Sequence, residues 1–390
     1  MPNSKSSNKL TAIPTPSYVV YEDRMRSNLS LLKRVADETG VKLILALKAN
    51  ALWKAFPVIR DYFTSSTASS PNEMQLSLDY LGKDVHAYAP VYTEETFEKF
   101  LHGCSHITFN SLSQFEKFYP RVKKYEDNTG KHVSLGLRVN PKCSVIEHDI
   151  YNPAVAGSRF GLSASQMPDS LPEGLEGIHF HTLCESGSED LKKVLAKFEM
   201  DFGKYLPHLK WVNFGGGHLI TRKDYNIPLL KEIIADFKKR YPNLEIIMEP
   251  GSAFTWQTGD LVVSVLDVVE DEGIRTAIID ASFACHMPDC LEMPYKPAIK
   301  EALPDDSKEG FSYRLGGNTC LTGDFVGEWK FEKKLKPGDR LTLLDMNHYT
   351  TVKTNMFNGV DHPSIWFMPS EGEPRCLRSF TYEDYRDRMS

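Results

Sequence analysis

The chain has 390 residues, enough for two domains with sizeable cores, and 41% hydrophobic with 25% charged residues is the composition of a globular protein. With 46 basic against 52 acidic side chains the net charge is −6, which argues against a nucleic-acid partner and would suit a cationic small molecule. No run approaches the roughly 18 consecutive apolar residues of a membrane span, so no membrane partner is expected. The seven cysteines are odd in number and contain no CxxC pair. They support neither a disulfide framework nor a zinc ribbon, and a reducing cytoplasm is the expected location.

Residues 1–14, rich in Ser, Asn, Lys and Pro and without the apolar segment of a signal peptide, are expected to form a disordered tail. The run SYVVYE (17–22) follows. Eight β-type runs then alternate with helical patterns: VKLILALK (41–48), TSSTAS (64–69), VHAYAP (85–90), HITFN (105–109), HVSLGLRVN (132–140), LEGIHFHTL (175–183), KWVNFGGG (210–217) and LEIIMEPG (244–251). Most are continuously apolar, as parallel strands covered by helices are. Amphipathic segments such as 94–101 and 228–241 lie between them. The pattern predicts an α/β fold with a (β/α)8 TIM-type barrel over 25–250, a doubly wound open sheet being the alternative. After Gly251 the runs 260–269, 276–280 and 340–346 are separated by Pro- and Gly-containing loops. They predict a second, mainly antiparallel β domain built from 15–24 and 251–390.

In a barrel enzyme the reactive groups stand at the C-terminal ends of the strands. The first strand ends in Lys48, either an end-cap or a desolvated amine nucleophile. The fifth carries Arg138 and the sixth His179-Phe180-His181, with both histidines on one face. Those two could be a metal pair, but spacing offers no third ligand, and an aromatic stacking role or core packing is as compatible. The seventh strand runs into Gly215-Gly216-Gly217, where N–H groups can approach a phosphate without side-chain interference. The eighth closes with Glu249, an inward carboxylate that needs a cationic or N–H partner. Singly these are weak signals. Together they describe a site for pyridoxal 5'-phosphate: amine, stacking ring, phosphate loop and a carboxylate for the pyridine nitrogen.

With these residues in place, the sequence resembles the alanine-racemase-like, fold-type III pyridoxal-phosphate decarboxylases across about residues 15 to 385. Within that group it is similar to the carboxynorspermidine/carboxyspermidine decarboxylases, through LALKAN (45–50), SLGLRVNP (134–141), HFHTLCES (179–186), NFGGGHLITRKDY (213–225), HMPDCLEMPY (286–295), GGNTCLTGD (316–324) and HYTTVKTNMFNG (348–359). The resemblance implies decarboxylation of carboxynorspermidine or carboxyspermidine to norspermidine or spermidine, in a homodimer whose sites are shared between subunits. It implies that Lys48 links to the cofactor, His181 stacks on its ring, Gly215 to Gly217 hold its phosphate with Tyr349 nearby, and Glu249 meets its nitrogen. It makes Cys320 a partner-supplied proton donor, where the residues alone would make it a structural thiol. Glu185, His286 and Asp289 fall where the family's substrate contacts lie, and acidic side chains there would suit a cationic amine.

Departures from neighbouring branches narrow the substrate. Ornithine decarboxylases carry an aspartate after the catalytic cysteine, where this chain has Leu321, and diaminopimelate decarboxylases place an arginine just after EPG, where Ser252 and Ala253 stand. Ser252, Ala49 and Asn50 also depart from the carboxynorspermidine branch, leaving substrate length open. Diaminopimelate- or ornithine-type decarboxylation is the enzymatic alternative. An inactive pyridoxal-phosphate-binding regulatory homologue is the non-enzymatic one, but such relatives typically lose the lysine or the cysteine, and both are present.

Overall fold

The computed structural model describes residues 9–146, 152–293 and 295–390. The chain divides into two compact units, Arg26–Phe254 and a second formed by its two ends, up to Met25 and from Thr255. No helix among the described residues is long and apolar enough to cross a membrane.

The first strand, β1 (Ser17–Tyr21), belongs to the second unit. The first unit is a parallel barrel of β2 (Lys42–Leu43), β3 (Leu45–Ala46), β4 (Ser65–Ala68), β5 (Asp84–Tyr88), β6 (His106–Phe109), β7 (Ser134–Arg138), β8 (Leu175–His179), β9 (Trp211–Asn213) and β10 (Glu245–Met248). The ninth segment arises because the expected first strand changes partners midway. The Ile44 N–H donates to Met248 O at 3.0 Å, whereas the Leu47 N–H donates to Thr67 O at 3.1 Å. β2 therefore pairs with β10 and β3 with β4, and that switch brings the sheet round into a barrel. The Ser/Thr-rich β4 is a genuine buried strand because its polar groups are answered locally, as in the Ser66 Oγ–Ser77 Oγ contact of 2.7 Å.

The connecting helices start where small polar residues can cap them. Ser70, Thr93, Ser111 and Asn226 each accept from the amide three residues on. The helix Glu94–Gly103 buries Phe97, Phe100 and Leu101 at helical spacing. Inside the barrel, Trp211 fills the interior because Gly136 and Gly177 leave it room. A Cβ at those positions would lie 2.3 and 2.0 Å from its ring. Its Nε1–H donates to Ser134 Oγ at 2.8 Å, so the buried indole keeps a partner.

Two strands end earlier than their sequence runs. β9 stops at Asn213 because Gly215 and Gly217 turn the chain with φ of +71° and +86°. β10 stops at Met248, leaving Glu249 just beyond the ladder.

The second unit adds β11 (Gly259–Asp271), β12 (Ile274–Ile279), β13 (Phe311–Gly316), β14 (Phe325–Phe331), β15 (Arg340–Leu343), β16 (Ser364–Met368) and β17 (Arg375–Arg378), in the order β14-β13-β12-β11-β1-β16-β17 with β15 also on β11. β1 lies between β11, antiparallel, and β16, parallel. The early run at 17–22 thus joins this sheet, which is mainly antiparallel but has two parallel pairings, β1 with β16 and β12 with β13. Apolar side chains of the sheet such as Leu261, Val263, Ile279, Leu315 and Trp329 form its core. Strands β13, β14 and β17 are not apparent from hydrophobicity, since FSYRLG, FVGEWKF and RCLR mix charged with apolar residues, whereas β16, SIWFM, is a short apolar run that the sequence reading did not include. The last residues of the expected tail at 1–14 are ordered. Residues 1–8 lie outside the described residues, but Ile13 is buried, and Arg340 Nη2 donates to Leu10 O at 3.2 Å and Ile13 O at 2.8 Å.

Candidate active site

Barrel geometry carries Lys48, Arg138, His181, Gly215, Gly216, Gly217 and Glu249 to the C-terminal rim of one sheet, as their places at strand ends require. Hydrogen bonds join most of them. Asn213, the last residue of β9, donates through Nδ2 to Glu249 Oε1 at 2.8 Å and accepts through Oδ1 from the Gly215 N–H at 2.8 Å. The Glu249 N–H returns a bond to Gly215 O at 2.8 Å. One amide side chain therefore fixes both the carboxylate and the glycine turn.

The turn itself admits no side chains. A Cβ on Gly216 would lie 2.7 Å from Glu249 O, and one on Gly217 2.1 Å from Leu183 O. The Gly216 N–H donates to His181 Nδ1 at 3.0 Å, which leaves the proton of the neutral ring on Nε2. Arg138, largely buried, donates from Nη2 to His181 O at 3.2 Å, its guanidinium 4.6 Å from the rings of both Tyr88 and Phe160.

Electrostatics follow from this enclosure. Lys48 opens onto the barrel mouth, yet protein surrounds it, and desolvation lowers its amine pKa. Glu249 opposes that shift, Arg138 adds to it, and Glu73 opposes it again. His181 is held well below its ordinary pKa by burial and then by Lys48 and Arg138, so it is neutral. The site thus combines an amine biased toward its nucleophilic form, a neutral imidazole, a buried carboxylate and a glycine turn bare of side chains.

Two participants were not visible in the sequence. Glu73, near the start of the helix Pro71–Tyr80, accepts from the Ser69 N–H at 2.6 Å and is close enough to Lys48 to affect its charge. Burial raises its pKa. Its one sequence signal is the capping pattern Ser70-Pro71-Asn72-Glu73. Asn213 had no signal beyond its place ahead of the glycines. His179 is buried, and neither of its ring nitrogens has a hydrogen-bond partner. Donor atoms of His179, His181 and Glu249 lie within 4.8 Å of one another, so Glu249 is the third ligand that spacing could not show for a metal pair. His181 Nδ1 and Glu249 Oε1 are already engaged, however, and Lys48 and Arg138 bring positive charge to the same place.

Glu185 is exposed with φ +46°, its backbone oxygen accepting from Arg222 Nη1 at 2.9 Å. In the second unit, Cys320 is exposed in the turn between β13 and β14, its N–H donating to Asn358 Oδ1 at 2.7 Å. Tyr349 begins the short helical turn Tyr349–Thr351. Asp289 is ion-paired with Lys353. His286, expected beside the substrate, is instead completely buried. Its Nδ1 accepts from the Ser282 N–H at 3.0 Å, its carbonyl accepts from Tyr18 Oη at 2.5 Å, and burial pushes its pKa down to about 3. It acts there as a packing residue with no surface of its own to offer a ligand.

The family model for the pyridoxal-dependent decarboxylases, described by their C-terminal sheet domain, matches residues 18–347. The chain belongs to the pyridoxal-dependent decarboxylase family. It is 43% identical to a carboxyaminopropylagmatine decarboxylase of Synechocystis sp., over 98% of this chain and 97% of that protein. It is 39% identical to a carboxynorspermidine/carboxyspermidine decarboxylase of Campylobacter jejuni, over 96% of this chain and 98% of that one. The crystal structure of carboxynorspermidine decarboxylase from Campylobacter jejuni, complexed with norspermidine, superimposes with a TM-score of 0.87 at 38% identity, covering 96% of this chain and all of that one.

The residues of this decarboxylase fit the cofactor its family name implies. The amine is biased toward neutrality, the carboxylate is oriented by Asn213, and the glycine turn leaves space only where a Cβ is missing.

Proposed function

We propose that the protein binds pyridoxal 5'-phosphate and decarboxylates carboxynorspermidine or carboxyspermidine, releasing norspermidine or spermidine. The observation that carries the proposal is the connected set at the barrel rim, in which Asn213 joins Glu249 to the glycine turn and the turn holds His181 beside a desolvated Lys48. Relatives named for these substrates across their full length support the choice of substrate.

Lys48 is the residue that would link to the cofactor's aldehyde, since a desolvated amine is nucleophilic near neutrality. Gly215 to Gly217 would form the phosphate loop, with Tyr349 nearby; the N–H groups of Gly215 and Gly216 are given to Asn213 Oδ1 and His181 Nδ1, so the turn would serve chiefly by admitting the phosphate close to the backbone. Glu249 would keep the pyridine nitrogen protonated, and His181 would lie against the ring. When bound, the cofactor supplies an electron sink for the pair left behind as carbon dioxide departs. Cys320 would be the proton donor to the carbon that loses the carboxylate, and Lys48 would be the amine that frees the product. Glu185 and Asp289 are the proposed contacts for the substrate's cationic groups.

We place Cys320 in the site of a second copy, making the enzyme a homodimer. Its exposure is compatible with that role. A cytoplasmic location is in keeping with seven free thiols. A second substrate deserves an assay of its own, because identity is higher to the carboxyaminopropylagmatine decarboxylase than to the Campylobacter enzyme. That substrate's name implies a guanidinium end in place of an amine.

The deciding experiment compares kcat/KM for carbon dioxide release from carboxynorspermidine, carboxyspermidine, carboxyaminopropylagmatine, diaminopimelate and ornithine. Preference for either of the last two would overturn the polyamine reading, and preference for the agmatine derivative would select the second. Lys48→Ala should abolish the visible absorbance of bound cofactor. Mixed Lys48→Ala and Cys320→Ala chains should regain partial activity, and failure to do so despite demonstrated subunit exchange would refute the shared site.

A further inference from the structure

His179 closes β8 and has no task in the site described above. In the ladder it stands beside Arg138 of β7 on one side and Asn213 of β9 on the other. Residues in register on neighbouring strands send their side chains to the same face, so the imidazole enters the layer that holds the guanidinium and the amide of the candidate site. The residue is 2% exposed, and its ring lies edge-on to Tyr88 and His181 with centroids 5.4 and 6.2 Å away. Burial, with Arg138 and Lys48 close by, holds its pKa well below the ordinary value. The ring is therefore neutral and carries one N–H and one bare nitrogen.

Neither nitrogen has a hydrogen-bond partner among the described residues. The polar groups around it are engaged with one another. Asn213 Nδ2 donates to Glu249 Oε1, the Gly216 N–H to His181 Nδ1, Arg138 Nη2 to His181 O and Tyr88 Oη to Asn110 Oδ1. A buried N–H without an acceptor works against folding, and native proteins keep few of them. One nitrogen of His179 nevertheless lies within 4.8 Å of donor atoms of both His181 and Glu249. A ring that lies against His181 and meets Glu249 comes within reach of it.

We propose that His179 is a further cofactor-binding residue, whose imidazole N–H finds its acceptor when pyridoxal 5'-phosphate enters the site. The proposal rests on the reading above that Lys48, His181 and Glu249 hold that cofactor. The cofactor brings oxygen acceptors on its ring hydroxyl and its phosphate, and no covalent bond changes at His179. The unanswered N–H destabilises the cofactor-free protein, and binding removes that penalty.

Removing the N–H should therefore move two measurements in opposite directions, whereas removing a structural contact would lower both. His179→Leu replaces the ring by an apolar group of similar volume. It should raise the Tm of the cofactor-free chain by about 2–4 °C. It should also weaken pyridoxal 5'-phosphate binding, followed by visible absorbance in an equilibrium titration, by about three- to tenfold. The gain in Tm at saturating cofactor should shrink to match. An unchanged affinity would overturn the proposal, and so would a weaker affinity accompanied by a lower cofactor-free Tm. Should His179→Leu fail to fold, His179→Phe takes the same two measurements, and failure of both to fold would make the ring structural and refute the proposal. His179→Asn and His179→Gln each keep an N–H donor, and one of them should bind within about twofold of wild type. If neither does, the shape of the ring rather than its donor sets the affinity, and the proposal fails. A wild type that takes up no pyridoxal 5'-phosphate refutes the cofactor reading and this proposal with it. A wild type that binds no more tightly than His179→Leu refutes the proposal alone.

Discussion

A methyl group added to Gly217 tests the glycine turn directly. Gly217 has φ +86°, and its added Cβ would lie 2.1 Å from Leu183 O and 2.2 Å from the carbonyl carbon. That obstacle is backbone, and it is pinned nearby by the Ser186 N–H donating to Gly217 O at 2.7 Å. The turn must therefore move. The left-handed conformation alone costs an L-residue about 1–2 kcal/mol. A displaced turn would in addition lose one or more charge-assisted bonds to a phosphate, each worth about 1.5–3 kcal/mol, so cofactor affinity should fall by roughly ten- to a hundredfold. Gly130 is the matched control. It has φ +67° at the end of the helix Leu112–Thr129 and nothing within 4 Å of its added Cβ. Gly130→Ala should cost the same conformational energy and leave binding untouched. Equilibrium titration with pyridoxal 5'-phosphate, alongside Tm, reads both quantities. An affinity change under about twofold in Gly217→Ala, or an equal loss in Gly130→Ala, would show that the turn does not hold the phosphate.

Asn213→Ala should lower kcat/KM roughly tenfold or more, since it removes two buried bonds that orient Glu249 and Gly215, and should lower Tm by several degrees, each bond being worth about 1 kcal/mol; wild-type kinetics would refute this positioning role. Trp211→Ala should cost about 3–5 kcal/mol in urea unfolding because the indole fills the space left by Gly136 and Gly177, and a loss under about 1 kcal/mol would show that the barrel interior collapses around it. Burial lowers the pKa of His218 from 6.5 to about 4. Its unfolded form therefore binds more protons within that window, and stability should rise as pH rises from about 4 to 6.5, by up to about 1.4 kcal/mol per unit from this residue. His218→Leu should flatten that dependence in urea titrations across the window, and an unaltered slope would assign it to other groups.

Much of the barrel was legible because its signals are local. Continuous apolar runs separated by capped amphipathic helices dictate parallel strands, and the fold then fixes which end of each strand bears the chemistry. Lys48, His181, Gly215 to Gly217 and Glu249 follow from that rule without knowledge of any contact. The second sheet was only partly legible. β13 and β14 mix charges into their runs, and β1 finds its partners, β11 and β16, some 240 and 350 residues further along the chain.

What sequence alone determined was which residue types stand at strand ends, together with the family they resemble. Tertiary structure decided who touches whom. Asn213 joining Glu249 to the glycine turn, Glu73 reaching Lys48's surroundings, His286 sinking into the core and Lys353 seated between Asp289 and Glu292 are contacts between distant segments. Spacing along a chain encodes local geometry, whereas hydrogen-bond partners and desolvation depend on packing, and so the lowered pKa of Lys48 exists only once the chain has folded.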